Sequence, residues 1–279
     1  MDQRADYIKP PSRFLLAMEG RAVFELGSFF LTYPFLRTAP RGDGHPVLVL
    51  PGLTASDTST ELLRAYLKDL SYSPHGWELG RNYGHHHTVE GELLDRLLEL
   101  HQRYGRKVSI IGWSLGGVFG RELAKEAPEA VRQVVSLGSP IACCPTSTNA
   151  WRLYERASGR RAGSACRRRA GARNGADDEQ CPVCADTRRH PPKAVPCTSI
   201  FSRSDGVVAW KCSLEAESEL TENIEVQGSH CGLGHNPAVL YAIADRLAQP
   251  EGEWKPFDRG GWRGLFYPDP RRGLNQAAA

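Results

Sequence analysis

At 279 residues the chain is long enough for one large α/β domain or two small ones, and either would bury a sizeable core. Hydrophobic residues at 41% and charged residues at 24% match an ordinary globular protein, and a formal net charge of +3 is too small to argue for a nucleic-acid partner. Eight cysteines are many for a cytosolic chain, yet too few and too scattered for a small disulfide scaffold.

The first stretch, MDQRADYIKPPSRF, has no basic segment leading into an apolar run. No secretory signal is read there, so a cytoplasmic location is the default expectation, with secretion left open. Val23 to Leu36 is the most apolar early run, but Glu25 and Pro34 interrupt it, and it falls short of the roughly 18 residues of a membrane span. A packed helix is expected instead, making residues 1–45 an N-terminal helical segment that rests on the domain spanning 46–279.

From Pro46 onward short apolar runs alternate with amphipathic ones, the pattern of a parallel sheet with crossover helices. Pro46 to Leu50 reads as a buried strand stopped by Pro51-Gly52. Ser59 to Leu70 reads as a helix with Leu62, Leu63, Tyr66 and Leu67 on one face, capped by Asp57 or Ser59. His75 to Leu79 is a weaker strand. Thr88 to Tyr104 carries Val89, Leu93, Leu97 and Leu100 at helical steps and stops at Gly105. Strands follow at Val108 to Ile111, Val131 to Leu137, Val195 to Phe201 and Asn223 to Val226, with helices at Ser114 to Ala127 and Pro237 to Leu247. The alternation fails between Gly138 and Pro196, which is read as a cap insertion of about residues 142–194. Within it Ala157 to Arg173 is rich in Arg, Ala and Gly with no apolar period, the composition of an exposed, unstructured segment. The tail from Gly252 is expected to pack over the domain before fraying.

GWSLG, residues 112–116, fits G-x-S-x-G between a strand and a helix. Glycines on either side permit a sharp turn that lifts the Ser114 hydroxyl off the sheet edge. A serine hydroxyl is a weak nucleophile near neutral pH, so it needs an imidazole base, and the imidazole needs a carboxylate to fix its tautomer. Asp205 in SIFSRSDGVV and His230 in VQGSHCGLG each stand a few residues past a strand, at the sheet end where open α/β folds build their sites. His235 competes with His230, but His235-Asn236-Pro237 reads as a helix start, where capping is its expected role.

With Ser114, Asp205 and His230 in that order, the sequence resembles the α/β-hydrolase superfamily. Within it the likeness is to bacterial serine esterases and lipases whose oxyanion loop has a Pro-Gly-apolar form. It runs from about Pro46 to Leu247 and is weakest through Cys143 to Lys193. It implies an α/β-hydrolase fold with about six mostly parallel strands, flanking helices and a cap. It also implies an oxyanion hole made by the backbone N–H groups of Leu53 and Leu115. Many relatives carry His-Gly where this chain has Pro51-Gly52, a departure that alters loop packing more than main-chain donors.

The reaction implied is acyl transfer from a small-molecule ester to water, with no cofactor and no metal required. Trp113 and Gly52 are candidates for contact with substrate, Trp113 having packing under the turn as its equal alternative. Phe24, Phe29, Phe30 and Phe35 would favour lipid-like esters and peripheral contact with lipid, which leaves esterase and lipase both open. The same triad also serves thioesters, polyesters and transfer to an alcohol, and a hydrolase fold can persist as a non-catalytic binding protein.

Other features have plainer readings. His85-His86-His87 does not converge on one point and reads as a solvated patch. Cys181 and Cys184 have zinc-knuckle spacing without a second half. Cys143 and Cys144 read as buried thiols. Cys212 and Cys231, each following a triad residue, could be joined by a disulfide. Asp57 and Arg64 are expected to act separately, in capping and solvation, though an ion pair is the alternative.

Overall fold

The computed structural model describes residues 8–84, 89–142, 145–158 and 190–272. Six strands form one sheet in the order β2-β1-β3-β4-β5-β6, with every neighbouring pair parallel. They are β1 (Pro46–Leu50), β2 (Ser73–Gly76), β3 (Val108–Trp113), β4 (Val131–Leu137), β5 (Cys197–Ser202) and β6 (Thr221–Val226). β1, β4 and β5 are buried along their whole length, as strands covered on both faces must be.

Side chains along each strand alternate between two cores. Val47, Val49, Ile111, Val135 and Ile224 face α2 (Ala22–Leu36), α3 (Glu61–Asp69) and α7 (Pro237–Leu247), through Phe29, Leu63, Leu67 and Ile243. Leu48, Leu50, Ile110 and Val134 face α4 (Val89–Tyr104) and α5 (Leu115–Glu126), through Leu93, Leu97, Val118 and Phe119. Three further short α-helices are α1 (Arg13–Ala17), α6 (Trp151–Ser158) and α8 (Arg263–Phe266).

The strand order fixes where a site can form. From β1 the chain leaves to one side, to β2, and from β3 it leaves to the other, to β4. The loops after β1 and β3 therefore part and leave a crevice at their carboxyl ends. Gly52 and Leu53 follow β1, and Ser114 follows β3.

Several sequence expectations are corrected. The second strand runs from Ser73 to Gly76, pairing with Pro46 to Val49, and ends before Trp77. Asp57 is the reason: its carboxylate accepts from the Trp77 and Glu78 amides, each at 3.0 Å, and takes them off the ladder. Asp57 therefore does not cap α3, whose first turn is preceded by a 3-10 turn from Asp57 to Thr60. Arg64 donates to the Asp57 carbonyl at 2.8 Å rather than to its carboxylate. The packed helix expected over Val23 to Leu36 is present as α2, which continues through both Glu25 and Pro34. Phe29 is 3% exposed and belongs to the core, whereas Phe24 is 79% and Phe30 60% exposed. Cys231 is a free thiol and Cys212 is disulfide-bonded, so these two are not joined to each other. The tail packs as expected through Arg272: Phe257 and Tyr267 enter the core, and Glu225 pairs with Arg203 and Arg272.

The triple histidine, Cys143-Cys144, Cys181-Cys184 and nearly all of the Arg-rich segment lie outside the described residues. Among the described residues no helix is long and apolar enough to cross a membrane.

At the amino ends of the strands His45 is fully buried, with Nδ1 2.5 Å from Asp43 Oδ1 and Nε2 2.9 Å from Ser109 Oγ. Asp43 also pairs with Arg106 and Arg132, and the His45 ring packs edge-on against Tyr72. Burial pulls the His45 pKa down to about 4 against the opposing pull of Asp43. The unfolded chain then takes up a proton between about pH 6.5 and 4 that the folded chain refuses, so stability falls as pH falls through that window. The full loss is roughly 3 kcal/mol. Urea midpoints measured from pH 7 to 4.5 should decline in the wild type and decline less steeply in His45→Gln.

Candidate active site

Ser114 sits between β3 and α5 at φ 53° and ψ −118°, a left-handed conformation that a non-glycine residue adopts only under constraint. Its amide donates to Leu137 of β4 at 2.8 Å, and its carbonyl accepts from Gly117 at 3.1 Å. The turn closes so tightly that a side chain at Gly112 would run into the Gly117 backbone, and one at Gly116 into the Leu50 carbonyl. Only glycine fits at either place.

Asp205 lies three residues beyond β5 and His230 four beyond β6, and both are buried. His230 Nδ1 is 2.7 Å from Asp205 Oδ2. An ionised carboxylate can only accept, so the ring carries its proton on Nδ1 and presents Nε2 as an acceptor. The other Asp205 oxygen accepts from the Val207 and Val208 amides at 2.8 and 2.7 Å, which fixes the carboxylate's orientation. Burial alone would lower the His230 pKa. The charge and hydrogen bond of Asp205, with the charge of Glu19, outweigh burial and raise it above the ordinary 6.5.

Trp113, next to Ser114, donates its indole N–H to the His230 carbonyl at 3.1 Å and packs its ring against Gly234. That contact ties the serine turn to the histidine loop, and Trp113 is not among the residues lining the pocket. His235 accepts no capping role: Asn236 caps α7 through the Ala238 and Val239 amides, while the His235 ring reaches the Ala22 carbonyl at 3.0 Å.

Ser114 opens into a pocket of about 630 Å³, solvent at its mouth included, with apolar walls from Leu53, Val118, Ile141, Val207 and Val208. Leu115, Pro140, Thr148, Ala150 and Tyr154 complete the lining. A side chain at Gly52 would come within 3.2 Å of Ser114 Cβ, which puts the loop after β1 directly against the serine. That loop is braced by Asn82, whose side chain donates to the Pro51 carbonyl at 2.8 Å and whose carbonyl accepts from Thr54, itself at φ 61°. Leu115 opens α5, where the first N–H groups have no intrahelical acceptor.

Sequence reading missed Asn82, Gly138 and the charged residues of the N-terminal segment. Asn82 had a local signal in Asn-Tyr-Gly, a turn, but nothing to say which loop it held. Gly138 follows β4 at φ 55°, and a Cβ there would stand 3.0 Å from Asp205 Oδ2 and 3.1 Å from His230 Nδ1.

No protein-family model and no curated protein sequence matches the chain. Solved structures do. A lipase B of Aspergillus fumigatus superposes with a TM-score of 0.54 at 14% identity, covering 77% of this chain and 56% of its own. The chain thus spans just over half the length of that lipase. A mature-form lipase of Bacillus licheniformis gives 0.52 at 14% identity, covering 76% of this chain and 95% of its own. A monoacylglycerol lipase of Paleococcus ferrophilus gives 0.50 at 16% identity, covering 75% and 96%. The fold is the α/β-hydrolase fold.

Gly138→Ala should strain the backbone and press on both partners of the Asp205–His230 hydrogen bond. A stability loss of about 1–3 kcal/mol is expected. The downfield imidazole N–H resonance of the wild-type pair should shift or vanish in the proton NMR spectrum of the folded variant.

Proposed function

We propose that the protein is a serine hydrolase of carboxylic esters, acting through Ser114, His230 and Asp205. The observation that carries this reading is a buried His230–Asp205 pair, oriented with Nε2 as acceptor and tied through Trp113 to a serine on a strained turn. Structural likeness to lipases extends to the fold, and the choice of reaction rests on these residues.

In this reading His230 Nε2 takes the Ser114 proton as the hydroxyl oxygen attacks the ester carbonyl. The Leu53 and Leu115 N–H groups stabilise the oxyanion, a contribution of about 2.7–4 kcal/mol per donor in measured systems. His230 then passes its proton to the departing alcohol, and water repeats the sequence on the acyl-enzyme. Asp205 holds the imidazole ring and stabilises the imidazolium while it exists.

The apolar pocket favours small to medium acyl chains over polar substrates. A lipid-like ester presented at a surface is the refinement favoured by one observation: Val23, Phe24, Phe30, Leu31 and Phe35 form an exposed apolar face of α2. Peripheral contact with lipid is part of that refinement.

The wild type should be labelled by a fluorophosphonate probe, and Ser114→Ala should lose both labelling and roughly 10⁴-fold or more in kcat. A series of p-nitrophenyl esters from acetate to palmitate should peak at short or medium chains. A wild type that stays unlabelled and inert throughout would leave a non-catalytic binding protein as the reading. Base catalysis needs neutral His230, so kcat/KM should climb as pH rises through a His230 pKa lying above 6.5.

A further inference from the structure

The 3-10 turn from Met18 to Arg21 and the start of α2 bring three charged side chains onto the loops that carry Asp205 and His230. Glu19, only 9% exposed, accepts from three backbone amides: Oε1 from Gly206 at 2.7 Å and His230 at 3.1 Å, and Oε2 from Cys231 at 2.8 Å. Arg21 donates to the Ser204 carbonyl at 2.7 Å and the Gly228 carbonyl at 2.8 Å. Glu25 accepts from the Ser229 amide at 2.7 Å and the Asn236 side chain at 3.2 Å. None of these bonds goes to the remaining surface of the domain.

We propose that Glu19 is a positioning residue for the Asp205–His230 pair, its carboxylate bridging the two loops that hold them and fixing their separation from outside the sheet. The proposal rests on the ester-hydrolase reading for its kinetic arm only. Both loops leave parallel strands at the end of the sheet, beyond the last ladder bonds, and the Gly206 and His230 amides lie in no helix or strand. Gly206 immediately follows Asp205, and the His230 amide belongs to the histidine itself. A single rigid group on both amides therefore couples the two backbones more directly than packing could. An error on the order of 1 Å in such a pair is enough to cost about 100-fold in rate.

Charge accompanies the geometry. His230 is faced by Asp205 from the loop after β5, by Glu19 from the N-terminal turn, and at greater remove by Glu25 and Arg21, which oppose each other at 3.6 Å. From the β3 turn the Trp113 indole reaches the His230 carbonyl, the Cys231 thiol adjoins His230 in sequence, and the neighbouring His235 ring is turned to Ala22. Glu19 stabilises the imidazolium along with Asp205.

Three variants of the full chain test this: Glu19→Gln, Glu19→Asp and Glu19→Ala. Glutamine keeps the shape and the two bonds to one oxygen, but turns an amide N–H₂ toward the Cys231 donor and removes the charge. It should move the acid limb of the kcat/KM profile, and the His230 pKa followed by NMR, to lower pH. Aspartate keeps the charge on a shorter reach, so it should lower kcat while leaving the His230 pKa near that of the wild type. Alanine should reduce kcat roughly 10- to 100-fold with KM little changed. The NMR titration reads His230 whether or not the protein turns over an ester, so an inert wild type would overturn the hydrolase reading without deciding this one. Should Glu19→Ala not fold, Glu19→Gln carries the test. Glu19→Gln with wild-type kcat, pH profile and His230 pKa would overturn the proposal. So would losses that follow only the unfolded fraction in thermal melts.

Discussion

Holding Ser114 at φ 53° opposes the intrinsic preference of an L-residue by about 1–3 kcal/mol, so the conformation persists only because the surrounding chain over-determines it. The constraint comes from both neighbouring strands. The Leu50 and Pro51 carbonyls of the β1 end press against Gly116, and the Leu137 carbonyl of β4 takes the Ser114 amide. Ser139 approaches Gly117 from the loop after β4, leaving no room for a side chain there. A buried parallel sheet is what makes these neighbours immovable, since β1 and β4 are buried along their whole length and cannot yield without opening a core. The fold thus does more than display the serine: the sheet itself supplies the walls of the turn.

Among the described residues, two hydrogen-bonded arrays join histidine to a carboxylate, at opposite ends of the same sheet. Asp43, His45 and Ser109 form a complete Ser-His-Asp chain, yet His45 and Ser109 have no exposure, and burial lowers the imidazole pKa to about 4. That array pins β1 to β3 and keeps its histidine neutral. At the carboxyl end the His230 ring is also buried, but there Asp205 and Glu19 favour its cation, and Trp113 links its loop to Ser114, which opens into a pocket. Residue types alone do not distinguish the two. Access and the sign of the local field do, because a general base must be able both to meet a substrate and to hold a proton.

What could be read from the sequence was whatever local pattern encodes. Strands β1, β3 and β4 show as apolar runs, α4 and α5 as helical periods, and Ser114, Asp205 and His230 as polar residues just beyond strands. Boundaries failed where a side chain from elsewhere intervened. Asp57 was expected to cap the helix beside it, but its carboxylate instead reaches amides some twenty residues away and ends β2 there. Glu19 gave no signal, because its partners lie 187 and 211 positions along the chain and a lone glutamate before a helix has many ordinary uses. A disulfide between Cys212 and Cys231 was one option suggested by their places after Asp205 and His230. Cys231 is instead a free, exposed thiol whose amide is held by Glu19.

Gly138 shapes the space in which the Asp205–His230 pair forms. The segment after β4 is one of the sheet ends from which a carboxylate could reach an imidazole, and the sequence offers none there. In the folded chain the space a side chain would occupy at that position is already filled by Asp205 Oδ2, His230 Nδ1 and Leu233 Cδ1, at 3.0, 3.1 and 2.7 Å from a Cβ. The backbone there also has φ 55°, suited to glycine. Because β4 lies between β3 and β5, its loop must pass beneath the line joining the serine turn to the Asp205 loop. A bare backbone at Gly138 lets the histidine and aspartate close over it. The fit is therefore reciprocal: the Asp205–His230 pair occupies the space that a side chain at position 138 would need.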